Sequence, residues 1–187
     1  LLRPVGRTAL ELLLANRIQV RDENCRSGFN HSQSLSLHHD ARDAPRDPRH
    51  GLRVDLTGTF FPAVWDVASE FGAIAADATA YLTAPIPMHP ILVVSGGGKK
   101  VYGDFPFHEA AFIGGHSTLR SLDTQRYAGD ASLYGSLELR LPIAKFAFIL
   151  PVDAGVFGVV DAGRVYVDGA SPGGWHTSAG VGFWIGV

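Results

Sequence analysis

Apolar and polar residues alternate one by one over long stretches of this chain. Leu52-Arg53-Val54-Asp55-Leu56-Thr57-Gly58-Thr59-Phe60 is apolar at even positions and polar at odd ones. Ser132-Leu133-Tyr134-Gly135-Ser136-Leu137-Glu138-Leu139-Arg140-Leu141 repeats the pattern. Thr177 to Ile185 sets Ala179, Val181, Phe183 and Ile185 against Ser178, Gly180, Gly182 and Trp184. A period of two sends successive side chains to opposite faces of a sheet. Gly and Pro are scattered throughout, so few stretches could hold three helical turns. Thr8 to Asp22 is the main exception. Its first part (Ala9, Leu10, Leu12, Leu13, Leu14) could be helical, but Arg17-Ile18-Gln19-Val20-Arg21 alternates, and the stretch reads as a strand.

Eight strands follow, at roughly 8–22, 33–42, 51–62, 68–83, 90–103, 131–142, 152–167 and 176–187. Many exceed the usual length of ~5–6 residues and reach the ~9–11 that a tilted strand needs to cross a bilayer. Arg42–His50 and Ala84–Pro90 are short, Pro-rich connections, whereas Gly103–Asp130 is long and Gly-rich. The pattern predicts an all-β, antiparallel transmembrane barrel over a soluble β-sandwich, which also alternates. Charged residues are only 18% of the chain, and Gly supplies 22 of 187 positions. Isolated charges among Gly, Ser, Thr and Tyr suit a wet lumen better than a soluble outer face.

Composition excludes other classes. A net charge of −2 leaves no nucleic-acid footprint. The single Cys25 excludes a disulfide framework and any multi-Cys zinc site. No apolar run approaches the ~18 residues of a spanning helix, and no signal peptide is visible. The chain begins with Leu1, which fits an internal piece of a longer protein.

No catalytic arrangement stands out. Ser95-Gly96-Gly97 is not a nucleophile elbow, and Gly96-Gly97-Gly98-Lys99-Lys100 lacks the full phosphate-loop pattern and a following helix. These small residues are expected to let a loop approach the wall. His31, His38, His39, Asp40 and His50 invite a metal reading, but His38 and His39 must point to opposite faces. Surface or rim histidines are expected. Cys25 is expected in an exposed loop. Phe60, Phe61, Trp65, Trp175 and Trp184 suit interfacial girdles or an ordinary core. The chain reads as a non-enzyme with no cofactor and no metal.

Three segments carry a resemblance. Asp40-Ala-Arg-Asp-Ala-Pro-Arg-Asp-Pro-Arg-His-Gly51 resembles a turn of the bacterial surface antigen family, the barrel family of the BamA/TamA-type outer-membrane assembly factors. Pro106-Phe-His-Glu-Ala-Ala-Phe-Ile-Gly-Gly-His-Ser-Thr-Leu-Arg-Ser-Leu122 is similar to the family's long extracellular loop segment, which folds back into the lumen. Gly114, Gly115, Thr118, Leu119 and Arg120 match its motif. Ser121 and Leu122 replace a Gly and an aromatic, and the latter change is expected to remove a packing contact. Leu137-Glu-Leu-Arg-Leu-Pro142, Val160-Asp-Ala-Gly-Arg-Val165 and Ser178-Ala-Gly-Val-Gly182 resemble the strands after the loop. The likeness covers roughly residues 33–187.

The resemblance implies one partial barrel domain over 1–187, with a loop inserted at about 104–130. It corresponds to the later part of a sixteen-stranded barrel, five strands before the loop and three after, with two more to follow. It implies that Arg120 pairs with Asp161 on the inner wall, with Glu138 nearby. It further implies residence in the bacterial outer membrane and insertion of other barrels or translocation of polypeptide. The partners would be outer-membrane lipid, client polypeptides and accessory lipoproteins, with no nucleic acid. The alternatives are the barrel anchor of a patatin-like esterase, a self-contained eight-stranded pore or adhesin, and a soluble binding module.

Overall fold

The computed structural model describes residues 7–21, 26–64, 67–147 and 151–186, so Cys25 and Trp65 lie outside the described residues. Five long strands come first: β1 (Arg7–Arg21), β2 (Arg26–Asp40), β3 (Gly51–Phe61), β4 (Phe71–Thr83) and β5 (Ile91–Gly103). A 3-10 turn (Phe107–Glu109) and two short strands, β6 (Ala111–Ile113) and β7 (Tyr127–Gly129), follow. Three long strands complete the chain: β8 (Ala131–Ala147), β9 (Pro151–Tyr166) and β10 (His176–Gly186). The long strands make one antiparallel sheet in the order β1-β2-β3-β4-β5-β8-β9-β10, and β6 pairs only with β7. β1 and β10 are its two edges, so these eight strands do not close on themselves as a small barrel would.

The alternation becomes two unlike faces. Leu35, Leu37, Leu52, Leu56, Phe60, Ile74, Leu82, Leu133, Leu137, Leu139, Val160, Val181 and Phe183 are exposed on one. The other carries Ser34, Ser36 and His38 of β2, bonded to Thr59, Thr57 and Asp55 of β3 at 3.0, 3.0 and 2.6 Å. It also carries the buried Ser132, Glu138, Asp161 and Ser178. Apolar outside and polar inside is the inverse of a soluble sheet and is what a lipid-facing wall requires. No helix among the described residues is long and apolar enough to cross a membrane, which says nothing of crossing by strands.

Several expectations are corrected. β2 begins at Arg26 rather than near residue 33: Arg26–Ser32 has no apolar rhythm of its own, yet it pairs in register with β1 from Arg21↔Arg26 onward. β8 runs past Pro142 to Ala147, with the register shifting between Pro142 and Ala144, a kind of irregularity at which a strand tolerates Pro. His38 bonds Asp55 on the polar face, two residues from the end of β2. Phe61 stacks on Phe71 at 4.3 Å inside the sheet, and Phe60 faces outward.

The turn between β2 and β3 is built by the charges of its motif. Arg42 donates to both carboxylate oxygens of Asp40, at 2.9 and 2.6 Å. Asp43 Oδ1 accepts the backbone N–H groups of Ala44, Arg49 and His50. Arg49 then reaches Asp153 at the start of β9, four strands away in the sheet order, at 3.3 Å. Flat neighbouring strands lie ~4.8 Å apart, so this contact shows that the sheet is curved.

Candidate functional site

The 27 residues between β5 and β8 lie against the concave, polar face rather than extending away. Two clusters seat them. Ala111 packs with Phe61, Phe71 and Val101. Ile113 and Leu119, both fully buried, pack with Val165 of β9. Lys99 on β5 donates to the carbonyls of Glu109 and Ala110 at 2.7 and 3.4 Å, tying down the 3-10 turn. At the far end Tyr127 stacks on His176 of β10, centroids 3.7 Å apart.

The motif residues shape the tip. Gly114 and Gly115 have φ of +113° and +92°, a region that residues with a Cβ rarely adopt. Gly114 N–H donates to Thr118 Oγ1 at 2.8 Å. Gly115 N–H is shared between the carbonyls of Leu119 and Leu122, at 3.1 and 3.0 Å. This tight reversal turns Leu119 into the wall, where its Cδ1 lies only 2.6 Å from where a Cβ on Gly163 would stand. Ser121 has no positive φ, so the usual glycine is not required by the backbone here. Leu122 packs against the Ile113–Leu119–Val165 cluster, so the expected loss of a packing contact is corrected.

Arg120 follows Leu119 and meets both predicted carboxylates, by different groups. Its guanidinium Nη1 donates to Glu138 Oε2 at 2.5 Å and Nη2 to Ser136 Oγ at 3.4 Å. Its backbone N–H donates to Asp161 Oδ2 at 3.0 Å. The ion pair is therefore Arg120–Glu138, correcting the expected guanidinium–Asp161 pair. Leu119 enters the wall at Gly163, which brings the Arg120 main chain, rather than its guanidinium, to Asp161. Ser178 on β10 donates to the same Asp161 oxygen at 3.0 Å. Arg140 donates to the other oxygen of Glu138 at 2.6 Å. Ion pairs and charge-assisted bonds thus hold one loop residue to β8 and β9, and Asp161 links it to β10.

Two contributors escaped sequence reasoning. Tyr134 of β8 reaches across Gly97 of β5 to Asp77 of β4. A Cβ on Gly97 would stand 2.5 Å from Ala76 O and 2.8 Å from Tyr134 Oη. The close approach over this triglycine is made by a wall tyrosine, and the loop's own close approach falls at Gly163. Lys99 was legible only as part of a charged pair. Among the described aromatics, Trp184 lies on the inner face over Gly155, and Trp175 is half exposed beyond β9.

The Omp85 superfamily domain matches residues 8–186. The chain belongs to the Omp85 superfamily. Among solved structures it is similar to BamA from Haemophilus ducreyi lacking POTRA domains 1–3. The TM-score is 0.67 at 17% identity, over 89% of this chain and 39% of that one. The likeness at this identity is one of fold, and the chain spans well under half of that protein's length. No curated protein matches the chain. The fold is accordingly a stretch of Omp85 transmembrane barrel wall, with the loop held on its concave side.

Proposed function

We propose that this chain is part of an outer-membrane barrel that inserts other barrels into that membrane or translocates polypeptide across it. Residues 1–187 form one partial barrel domain, with residues 104–130 inserted into its lumen. Arg120, Glu138 and Asp161 anchor the loop, and Gly114, Gly115, Thr118 and Leu119 set its tip. The observation that carries the reading is the loop pinned by Arg120 against the inner wall. A plain anchor needs only a wall, whereas a braced loop supports a lumen whose wall must open and close without collapse. The action is non-covalent: an unsatisfied barrel edge offers N–H and C=O groups to an incoming strand. Partners are outer-membrane lipid, client polypeptides and accessory lipoproteins.

The test uses the full-length protein in proteoliposomes. Urea-denatured client barrel is added, and its folding is followed by heat-modifiable gel migration. Faster folding than in empty liposomes, lost in part with Arg120→Ala, supports the reading. Correctly inserted wild-type protein that gives no acceleration overturns it.

A further inference from the structure

The outward face of the wall carries a cationic group that the lumen does not explain. Asp161, Gly163 and Val165 of β9 face the loop, through Arg120, Leu119 and the Ile113 cluster respectively. By alternation Val160, Ala162, Arg164 and Tyr166 face out. Arg164 therefore shares the exposed apolar surface of Val160, near the strand end next to the long loop. A charge on this face is costly at the bilayer midplane and nearly free near the interface. The end of β9 is where an outward arginine is tolerated.

Its setting is more ordered than an interfacial charge requires. The guanidinium Cζ lies 4.6 Å from the centre of the Tyr166 ring and 5.3 Å from that of Trp175. Arg164 Nε donates to Ser171 Oγ at 3.1 Å, and Ser171 in turn donates to Val165 O at 2.9 Å. Among the described residues no carboxylate pairs with Arg164; it meets the two rings and one hydroxyl. The two terminal nitrogens, which form the fork suited to phosphate, make none of those hydrogen bonds. Two strands away, Lys100 also faces out, as its neighbours Lys99 and Val101 contact the loop. It lies 5.8 Å from the ring of Tyr102 and pairs with Asp130 at 2.6 Å. The register sets Lys100 opposite Ala131, which is opposite Tyr166, so only a methyl group stands between them.

We infer that Arg164, steadied by Tyr166, Trp175 and Ser171, is a binding site for the phosphate of an anionic glycolipid in the outer leaflet. The occupant is chosen by charge complementarity: an oriented cation with no acidic partner, at headgroup depth, above an apolar wall. Phosphate accepts the bidentate fork, the aromatic rings lie against sugar, and the acyl chains run down past Leu133 and Leu137.

This inference rests on the outward face being the lipid face, so the test separates the two. Full-length protein is placed in phosphatidylcholine nanodiscs containing a phosphorylated glucosamine-disaccharide lipid or its dephosphorylated counterpart. Lipid retained on release is counted by native mass spectrometry. Wild type is expected to retain the phosphorylated lipid, and Arg164→Gln to lose about tenfold, equivalent to ~1.4 kcal/mol. Arg164→Lys keeps part of the retention. Unchanged heat-modifiable migration shows that the variant is folded. Equal retention by wild type and Arg164→Gln overturns the site, as does equal retention of the two lipids. Protein that stays monomeric and soluble outside the discs overturns the barrel reading, and the site with it.

Discussion

Arg120 and Glu138 make the tightest polar contact of the loop, and their surroundings decide what a substitution does. The Glu138 side chain is 10% exposed and serves Arg120 and Arg140 together. Arg120→Ala removes one partner, leaves Arg140 in place and frees the tip of the loop. A loss of about 1–3 kcal/mol is expected, the cost of stranding a buried hydrogen-bonding group. It is read as faster protease cleavage between residues 104 and 130 and a lower temperature for the heat-modifiable gel shift. Unchanged cleavage and migration would sink the pinning role. Glycines give a second contrast. At Gly163 an added methyl meets a leucine methyl 2.6 Å away, whereas at Gly97 it meets the Ala76 carbonyl at 2.5 Å as well as the Tyr134 hydroxyl. A side-chain tip can shift and a β-ladder carbonyl cannot. Gly97→Ala should therefore cost more than Gly163→Ala, both within or somewhat above the ~1–3 kcal/mol of overpacking. Urea midpoints of the two variants give the order, and the reverse order would contradict this placement.

At the scale of elements, alternation was enough to place the eight wall strands, because one face had to be apolar for lipid and the other polar for the lumen. It failed where the rhythm was absent or interrupted: Arg26–Ser32 has no apolar beat, and Pro142 looks like a stop unless a bulge absorbs it. β6 and β7, three residues each, are too short to show any period. Within the site, the family resemblance put Arg120 on Asp161 with Glu138 nearby, and the structure brings the three together. Which group of Arg120 met which carboxylate was not legible, because it depends on how deeply Leu119 enters the wall. The β2–β3 turn adds a prediction of its own. Partial desolvation pushes the Asp43 carboxyl up, but the N–H groups of His50, Arg49 and Ala44 outweigh it and hold it below the ordinary carboxylate range. A lowered folded value means that the carboxylate's stabilising effect is complete above the unfolded pKa of ~3.9 and is lost as pH falls through the folded value. Amide-exchange protection at Arg49 and His50, corrected for intrinsic rates, should hold steady from neutral pH and fall only below about pH 4. Asp43→Asn should lower it and remove that acid dependence; a dependence that survives in the variant would assign it elsewhere.

For the whole molecule the question is what the loop does for the wall. The β5–β8 ladder runs unbroken from Ile91↔Arg140 to Lys100↔Ala131, and β8–β9 continues to Ala131↔Tyr166. The strands therefore pair without help from residues between them, and the outward apolar face is complete without the loop. The inner face is not. Phe61, Phe71, Val101 and Val165 are nearly inaccessible, and they share clusters with Ala111, Ile113 and Leu119 of the loop. Without it they would line a wet lumen, and Glu138 and Asp161 would lose Arg120 and gain water. Replacing residues 104–129 with a two-residue hairpin turn in the full-length protein should leave membrane insertion intact. It should also lower the urea midpoint and raise single-channel conductance in planar bilayers, because a packed segment leaves the lumen. Each large apolar side chain removed from its cluster contributes about 1.5–3 kcal/mol, so the midpoint shift should exceed that of Arg120→Ala. Failure to insert would mean that the wall depends on the loop for assembly rather than for bracing. An unchanged midpoint with unchanged conductance would mean that the loop neither braces the wall nor fills the lumen.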